Sequence, residues 1–216
     1  MFSFDETNTF CISLYSNKIR WEKMVRRFEV LDMNVSRFKA STEDDLSGVF
    51  ANFLNIGQKC CAHSHIKLWE RILTEELDYA LIIEDDACFD VKWKEKINNL
   101  SSTIQYDWDA IFLNCSEPID PTFSWTTIRE QYLTGGYIIS RRGIGKLLDE
   151  FSHCYHASDW MTSRLQGWGK CYSYFPWLII QDGSDSTIGS NSFEDHNKVV
   201  RCLNKIDYSI EDNYIV

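Results

Sequence analysis

The chain has 216 residues, 44% of them hydrophobic and 14% aromatic, enough for one buried core, with a formal charge of -10 and a pI near 4.9. That charge argues against nonspecific adhesion to nucleic-acid backbone or an anionic membrane, both of which favour basic patches. No basic and apolar leader opens the chain, no segment reaches transmembrane length, and eight cysteines lie without a CxxC pair, which points to reduced thiols in a cytoplasmic protein.

Apolar runs of strand length alternate with segments of helical period. This predicts an α/β fold with a mostly parallel central sheet flanked by helices, in a single domain over residues 1–216 that could itself be one domain of a longer protein. The first strand is expected at 9–14 (TFCISL). A helix over 18–28 follows, with Ser16 or Asn17 as its cap. The pattern weakens over 39–58, where EDDL (43–46) reads as a solvated helix N-terminus. Ile66, Trp69, Ile72 or Leu73 and Leu77 recur at helical spacing within 63–77, and a strand over 79–83 comes next. Asp90 is expected to cap a helix through Trp93, Ile97, Leu100 and Ile104, and 108–114 (WDAIFLN) reads as a strand. Pro118 and Pro121 mark a loop. Gly135 and Gly136 precede a short apolar run ending at Ser140, where close backbone approach is expected, and helical spacing resumes over 144–151. Asp159 falls near the start of another helix, FPWLIIQ (175–181) is the last strand, and a polar loop follows it.

The run YALIIEDDACF (79–89) is the most informative stretch. An apolar strand stops on three consecutive carboxylates, Glu84, Asp85 and Asp86, and in open α/β sheets ligands gather beyond the carboxyl ends of such strands. Adjacent carboxylates repel unless solvent or a cation offsets the repulsion, and oxygen clusters suit Mg²⁺ or Mn²⁺. The triplet is therefore either a solvated turn or a metal site, used to activate water or to neutralise a departing diphosphate. Hydrolysis of the haloacid dehalogenase type needs Asp-x-Asp after the first strand, and this triplet follows a later one. His153, Cys154 and His156 also cluster, with a spacing that matches no familiar zinc module.

Five blocks then stand in order: GQKCCAHSHIKLW (57–69), LIIEDDA (81–87), WDAIFLN (108–114), TGGYIISRRGIGKLL (134–148) and Asp159. In content and order they are similar to glycosyltransferase family 25, the group of lipooligosaccharide and collagen galactosyltransferases. The likeness spans about three quarters of the chain. It implies a GT-A type fold, a UDP-sugar donor (galactose or glucose), Mn²⁺ or Mg²⁺, inversion at the anomeric carbon, and a glycan, lipid-linked saccharide or glycoprotein acceptor, with no nucleic-acid partner. By the same likeness Asp86 and Glu84 hold the metal. Leu14, Arg20, Ser64, His65, Glu84, Asp85, Gly135 and Gly136 bind the donor, Asp159 is the general base, and residues 181–188 form a loop closing over the donor. Cys60 and His63 replace a glycine and an apolar residue usual in the family, so the packing near the nucleotide is expected to differ. A non-catalytic nucleotide- or carbohydrate-binding module and a metal-dependent phosphohydrolase are the competing readings.

Overall fold

The first strand, β1 (Thr9–Ser13), is buried at all five positions because sheet neighbours flank it and helices cover both of its faces. The computed structural model describes residues 2–104, 107–115, 125–127, 130–182 and 192–216, with 125–127 and 192–196 described by backbone alone. Asn17 starts α1 (Lys18–Leu31) by accepting the Arg20 N–H, and Asp32, in the left-handed region, ends it. β2 (Ser36–Lys39) pairs in parallel with β1. The EDDL segment forms a single 3-10 turn (Glu43–Asp45) under a capping box from Thr42. A second capping box, Asn55 with Gln58, starts α2 (Ile56–Thr74) seven residues before the apolar period suggests.

The central strand β3 (Tyr79–Glu84) lies between β1 and β7 (Gly136–Ser140). Between them in the chain come β4 (Ala87–Asp90), α3 (Trp93–Thr103), β5 (Ala110–Phe112) and β6 (Trp125–Thr127). After β7 follow α4 (Arg141–Glu150), α5 (Ser158–Trp168), β8 (Cys171–Tyr174), β9 (Ile179–Gln181), α6 (Ser192–Asn204), α7 (Ile210–Asn213) and β10 (Tyr214–Ile215). The main sheet has the order β2-β1-β3-β7-β5-β8-β6, and five of its seven strands run one way, with β7 and β6 opposed. This is the mostly parallel sheet expected. A small antiparallel sheet, β10-β4-β9, stands beside it.

Alternation along β3 divides the core. Ala80 and Ile82 face a cluster containing Ile66 and Trp69 of α2, Leu147 of α4 and Met161 of α5, while Leu81 and Ile83 face Met24 and Phe28 of α1 and Ile97 of α3. Both faces being covered explains the unbroken apolar run in the sequence.

Several expectations need correction. Asp90 does not cap α3: Lys92 holds the cap position, and Asp90 ends β4, accepting the Lys92 N–H at 2.8 Å and bonding Lys96 and Tyr208. Only the last three residues of FPWLIIQ are a strand. α4 begins three residues early because the Ser140 side chain accepts the Gly143 N–H. The loop at Pro118 and Pro121, and residues 183–188 of the expected donor loop, lie outside the described residues.

Asp109 ties the sheet to its covering elements. It is fully buried and accepts from Arg142 Nε, Lys146 Nζ and the Lys170 N–H, each at 2.7 Å. Burial pushes its pKa up, but these donors outweigh burial and hold it below the ordinary 3.8. A depressed carboxylate stabilises the fold above its ordinary pKa, and that contribution is lost as pH falls through the depressed value. Asp109→Asn is expected to cost about 1.5–3 kcal/mol at neutral pH. It should also flatten the fall of the urea midpoint below pH 4; an unchanged acid limb would remove Asp109 from this role.

Candidate functional site at the end of the central strand

The three carboxylates cluster where β3 ends and the chain turns into β4. The Glu84 N–H donates to the Gly135 carbonyl at 3.0 Å, which fixes the strand end against the residue before β7. Arg20, in the first turn of α1, reaches across: its Nη2 lies 3.0 Å from Asp85 Oδ1 and 3.1 Å from Asp86 Oδ2. One guanidinium thus bridges two acids. Gln181, the last residue of β9, places Nε2 3.2 and 3.3 Å from the two Asp86 oxygens and 3.4 Å from Glu84 Oε2. The Asp182 N–H donates to the Asp86 carbonyl at 2.9 Å.

Glu84 anchors a buried relay. Its Oε1 accepts from Thr134 Oγ1 at 2.6 Å and from His65 Nε2 at 3.0 Å. His65 Nδ1 lies 2.8 Å from the Tyr137 hydroxyl, which accepts the indole N–H of Trp69 at 3.0 Å. Every donor in this chain is used when the Tyr137 hydroxyl donates to Nδ1 and the imidazole carries its hydrogen on Nε2. His65 is fully buried, and its two ring nitrogens are taken by Glu84 and Tyr137.

These surroundings separate the three acids. Burial raises Glu84, but the hydrogen bonds from His65 and Thr134 together with Arg20 outweigh it, so its carboxyl sits below the usual range. Burial, with Glu84 repulsion added, raises Asp85 against the pull of Arg20. Asp86 is pushed up to about 7, first by burial and then by the Glu84 charge. It is the acid for which negative charge costs most.

Asp159 stands in the first turn of α5. Ala157 holds the cap position of α5, so Asp159 is the second helical residue, and its Oδ1 accepts the Trp160 N–H at 2.7 Å. Burial chiefly raises its pKa, and the Glu84 charge adds to the rise. The preceding Ser158 hydroxyl lies 3.2 Å from Thr134 Oγ1, so α5 starts two hydrogen bonds from Glu84.

Arg20, His65, Glu84, Asp85 and Asp86 therefore come together, with Asp159 adjoining through Ser158. Gly135 and Gly136 adjoin as well, and the close approach they permit is that of β9. A Cβ on Gly135 would stand 2.7 Å from Gln181 Cγ, and one on Gly136 would stand 2.3 Å from Ile179 Cδ1. Ser64 faces elsewhere: its hydroxyl donates to the Cys60 carbonyl at 2.7 Å and accepts the Ser41 N–H at 2.8 Å. His63, one of the departures, bonds Ser41 Oγ at 2.9 Å and Ser47 Oγ at 3.1 Å, so the altered packing fastens the segment after β2 onto α2. The Leu14 carbonyl accepts from Arg37 at 2.9 Å, and that guanidinium lies over the Tyr15 and Trp21 rings at 4.6 and 4.5 Å.

Sequence reasoning passed over Thr134 and Asn114, and it placed Gln181 in a donor-closing loop rather than at the end of β9 against Asp86. Asn114 is buried, and its Oδ1 lacks a hydrogen-bond partner among the described residues, 3.5 Å from where a Gly135 Cβ would stand. Gln181 and Asn114 share a readable signal, a polar residue closing an apolar run, the same signal that singled out Glu84.

A family model described as glycosyltransferase family 25 (LPS biosynthesis protein) matches residues 6–125. The chain is 30% identical over 173 residues to procollagen galactosyltransferase 2 of Homo sapiens, an alignment covering 67% of this chain and 27% of that protein. It is 25% identical over 170 residues to a glycosyltransferase 25 family member of Aedes aegypti, covering 67% of this chain and 28% of the relative. The chain thus spans about a quarter of the length of these curated relatives. A solved structure of a glycosyltransferase involved in the glycosylation of the major capsid of PBCV-1 aligns over 88% of this chain and 97% of its own, with a TM-score of 0.48 and 10% identity.

Proposed function

The chain belongs to glycosyltransferase family 25, and from that membership we propose that it transfers a hexose, galactose or glucose, from a UDP-sugar to an acceptor hydroxyl with inversion. The acceptor class is a glycan, lipid-linked saccharide or glycoprotein. The observation that carries this reading is the joining of two unlike carboxylate environments. An oxygen-rich acid cluster lies at the end of β3, and a half-buried Asp159 adjoins it through Ser158 and Thr134.

The donor set fits a hard divalent cation. Three carboxylates face one directly bonded guanidinium among the described residues, and the most destabilised of them, Asp86, is the one whose ionisation a cation would most favour. Asp86 and Glu84 would hold Mn²⁺ or Mg²⁺, which when bound supplies positive charge to the departing nucleoside diphosphate. The remaining roles fall to the chain. Gln181 orients Asp86, and His65 and Thr134 orient Glu84 and keep it ionised. Arg20 screens repulsion within the triplet. Asp159 accepts the acceptor hydroxyl's proton as that oxygen attacks the anomeric carbon opposite the leaving group, and the burial that raises its pKa strengthens it as a base.

The eight free thiols fit a reducing, cytosolic setting, which is part of the same proposal, and no helix of the described residues is long and apolar enough to cross a membrane. Screening UDP-galactose and UDP-glucose for slow hydrolysis, with Mn²⁺ and with a chelator, tests the donor assignment. One sugar nucleotide should be consumed only with metal. If none of a full nucleotide-sugar panel is consumed and UDP does not bind, the catalytic reading fails.

A further inference from the structure

Cys61 lies one turn before His65 on α2, which delivers its thiol to the helix face carrying the imidazole. Cys61 Sγ, a His65 ring nitrogen and a Glu84 carboxylate oxygen all lie within 4.8 Å of one another. Thiolate, imidazole and carboxylate form a donor set that Zn²⁺ accepts, at about 2.3 Å from sulfur and about 2.0–2.2 Å from nitrogen and oxygen. Tetrahedral angles then place the ligand atoms roughly 3.3–3.7 Å apart. His65 Nε2 and Glu84 Oε1 now stand at 3.0 Å, a few tenths of an ångström from that spacing, and the sulfur lies within 4.8 Å of both ligand atoms.

The geometry points to a thiophilic cation site at Cys61, His65 and Glu84, taking Zn²⁺ or Co²⁺, beside and chemically distinct from the all-oxygen cluster at Asp86. Glu84 can serve both because its two oxygens face apart: Oε1 toward His65 and Thr134, Oε2 toward Gln181. The supporting groups are present. Tyr137 holds the far ring nitrogen, Trp69 holds Tyr137, and Ser158 lies 3.4 Å from the Cys61 sulfur.

Binding balances as follows. Cys61 releases its thiol proton to solvent, His65 moves its ring hydrogen from Nε2 to Nδ1, and Glu84 enters already ionised. One proton leaves per cation, and a dication meets two single negative charges, leaving the buried site neutral. The Tyr137 hydroxyl accepts the new Nδ1–H and gives up its own acceptor in exchange.

Co²⁺ is the probe, because a cobalt–thiolate bond has its own near-ultraviolet charge-transfer absorption. The wild-type chain should develop that band to one equivalent, with Zn²⁺ bleaching it and about one proton released per cation. Cys61→Ser should abolish the band, and His65→Gln should weaken Co²⁺ binding by about 100-fold or more. Asp86→Asn should leave the band in place, so failure of the hard-cation reading does not touch this one. Absence of the band at stoichiometric Co²⁺, or its survival in both Cys61→Ser and Cys61→Ala, overturns the proposal, the latter by assigning it to another of the eight cysteines.

Discussion

Asp159→Asn is expected to reduce sugar transfer by about 10²–10⁴-fold while leaving UDP affinity nearly unchanged. The asparagine amide keeps the shape and can still accept the Trp160 N–H through its carbonyl, so α5 should start as before. What is lost is a basic oxygen. On the proposed inverting course this loss is severe, since the attacking hydroxyl would shed its proton on the face opposite the leaving group, away from the acids at the end of β3. The raised pKa of Asp159 places the transfer of base strength in a measurable form: the acid limb of the wild-type rate profile should lie above that of an ordinary aspartate, because burial disfavours the charged base. Single-turnover rates with saturating donor, alongside UDP calorimetry, check both halves. Full transfer activity in the variant would take the base role from Asp159, whereas a matching loss of UDP affinity would recast it as a donor-binding residue.

Asp86→Ala is expected to remove the metal dependence of UDP binding, with the affinity in Mn²⁺ falling by about 100-fold, equivalent to about 2.8 kcal/mol. The pH dependence follows from its environment. A carboxylate ligates in its ionised form, and Asp86 is pushed up to about 7 by burial and by Glu84, so metal-dependent UDP affinity should strengthen as pH rises through that value. The sign for folding runs the other way in the cation-free chain. A carboxyl raised in the fold binds its proton more tightly than the unfolded chain does, so its contribution to stability declines as pH climbs from the ordinary 3.8 toward about 7. Asp86→Ala should remove that decline. UDP binding that ignores Mn²⁺ in the wild-type chain would defeat the metal assignment outright.

Much of this was legible in the residues. The unbroken run of β3 announced a strand covered on both faces, and its abrupt end on three acids marked either a solvated turn or a candidate site, because such a charge step needs solvent or a cation to offset it. Helical periods located α1 and most of α2, but the start of α2 depends on the Asn55 and Gln58 capping box, which carries no apolar signal. β4 and β8 stayed hidden for another reason. Each has four residues, and β4 follows the acids so closely that ACFD reads as an extension of the turn. Asp90 misled because an aspartate before a helical period is an ordinary cap, and only the fold supplies Lys96 and Tyr208 as its partners. At the site, Arg20 and His65 were reachable only by likeness to a family. Their contacts with the acids span 65 and 19 residues of sequence, distances at which spacing carries no information. The double glycine was read correctly as a place of close approach. What approaches is β9 itself, and it brings Gln181 into contact with Asp86.

The relay behind Glu84 also gives the chain an optical handle. Three hydrogen bonds connect that carboxylate to the indole nitrogen of Trp69, which lies in the core with 1% of its surface exposed. A ligand that changes the charge or position of Glu84 alters the polarisation of the whole series. Its far end is a fluorophore shielded from solvent quenching. The difference between the emission of the wild-type chain and that of Trp69→Phe therefore isolates one reporter from eight tryptophans, and it reads occupancy of the site without a labelled sugar, a coupled enzyme or any turnover.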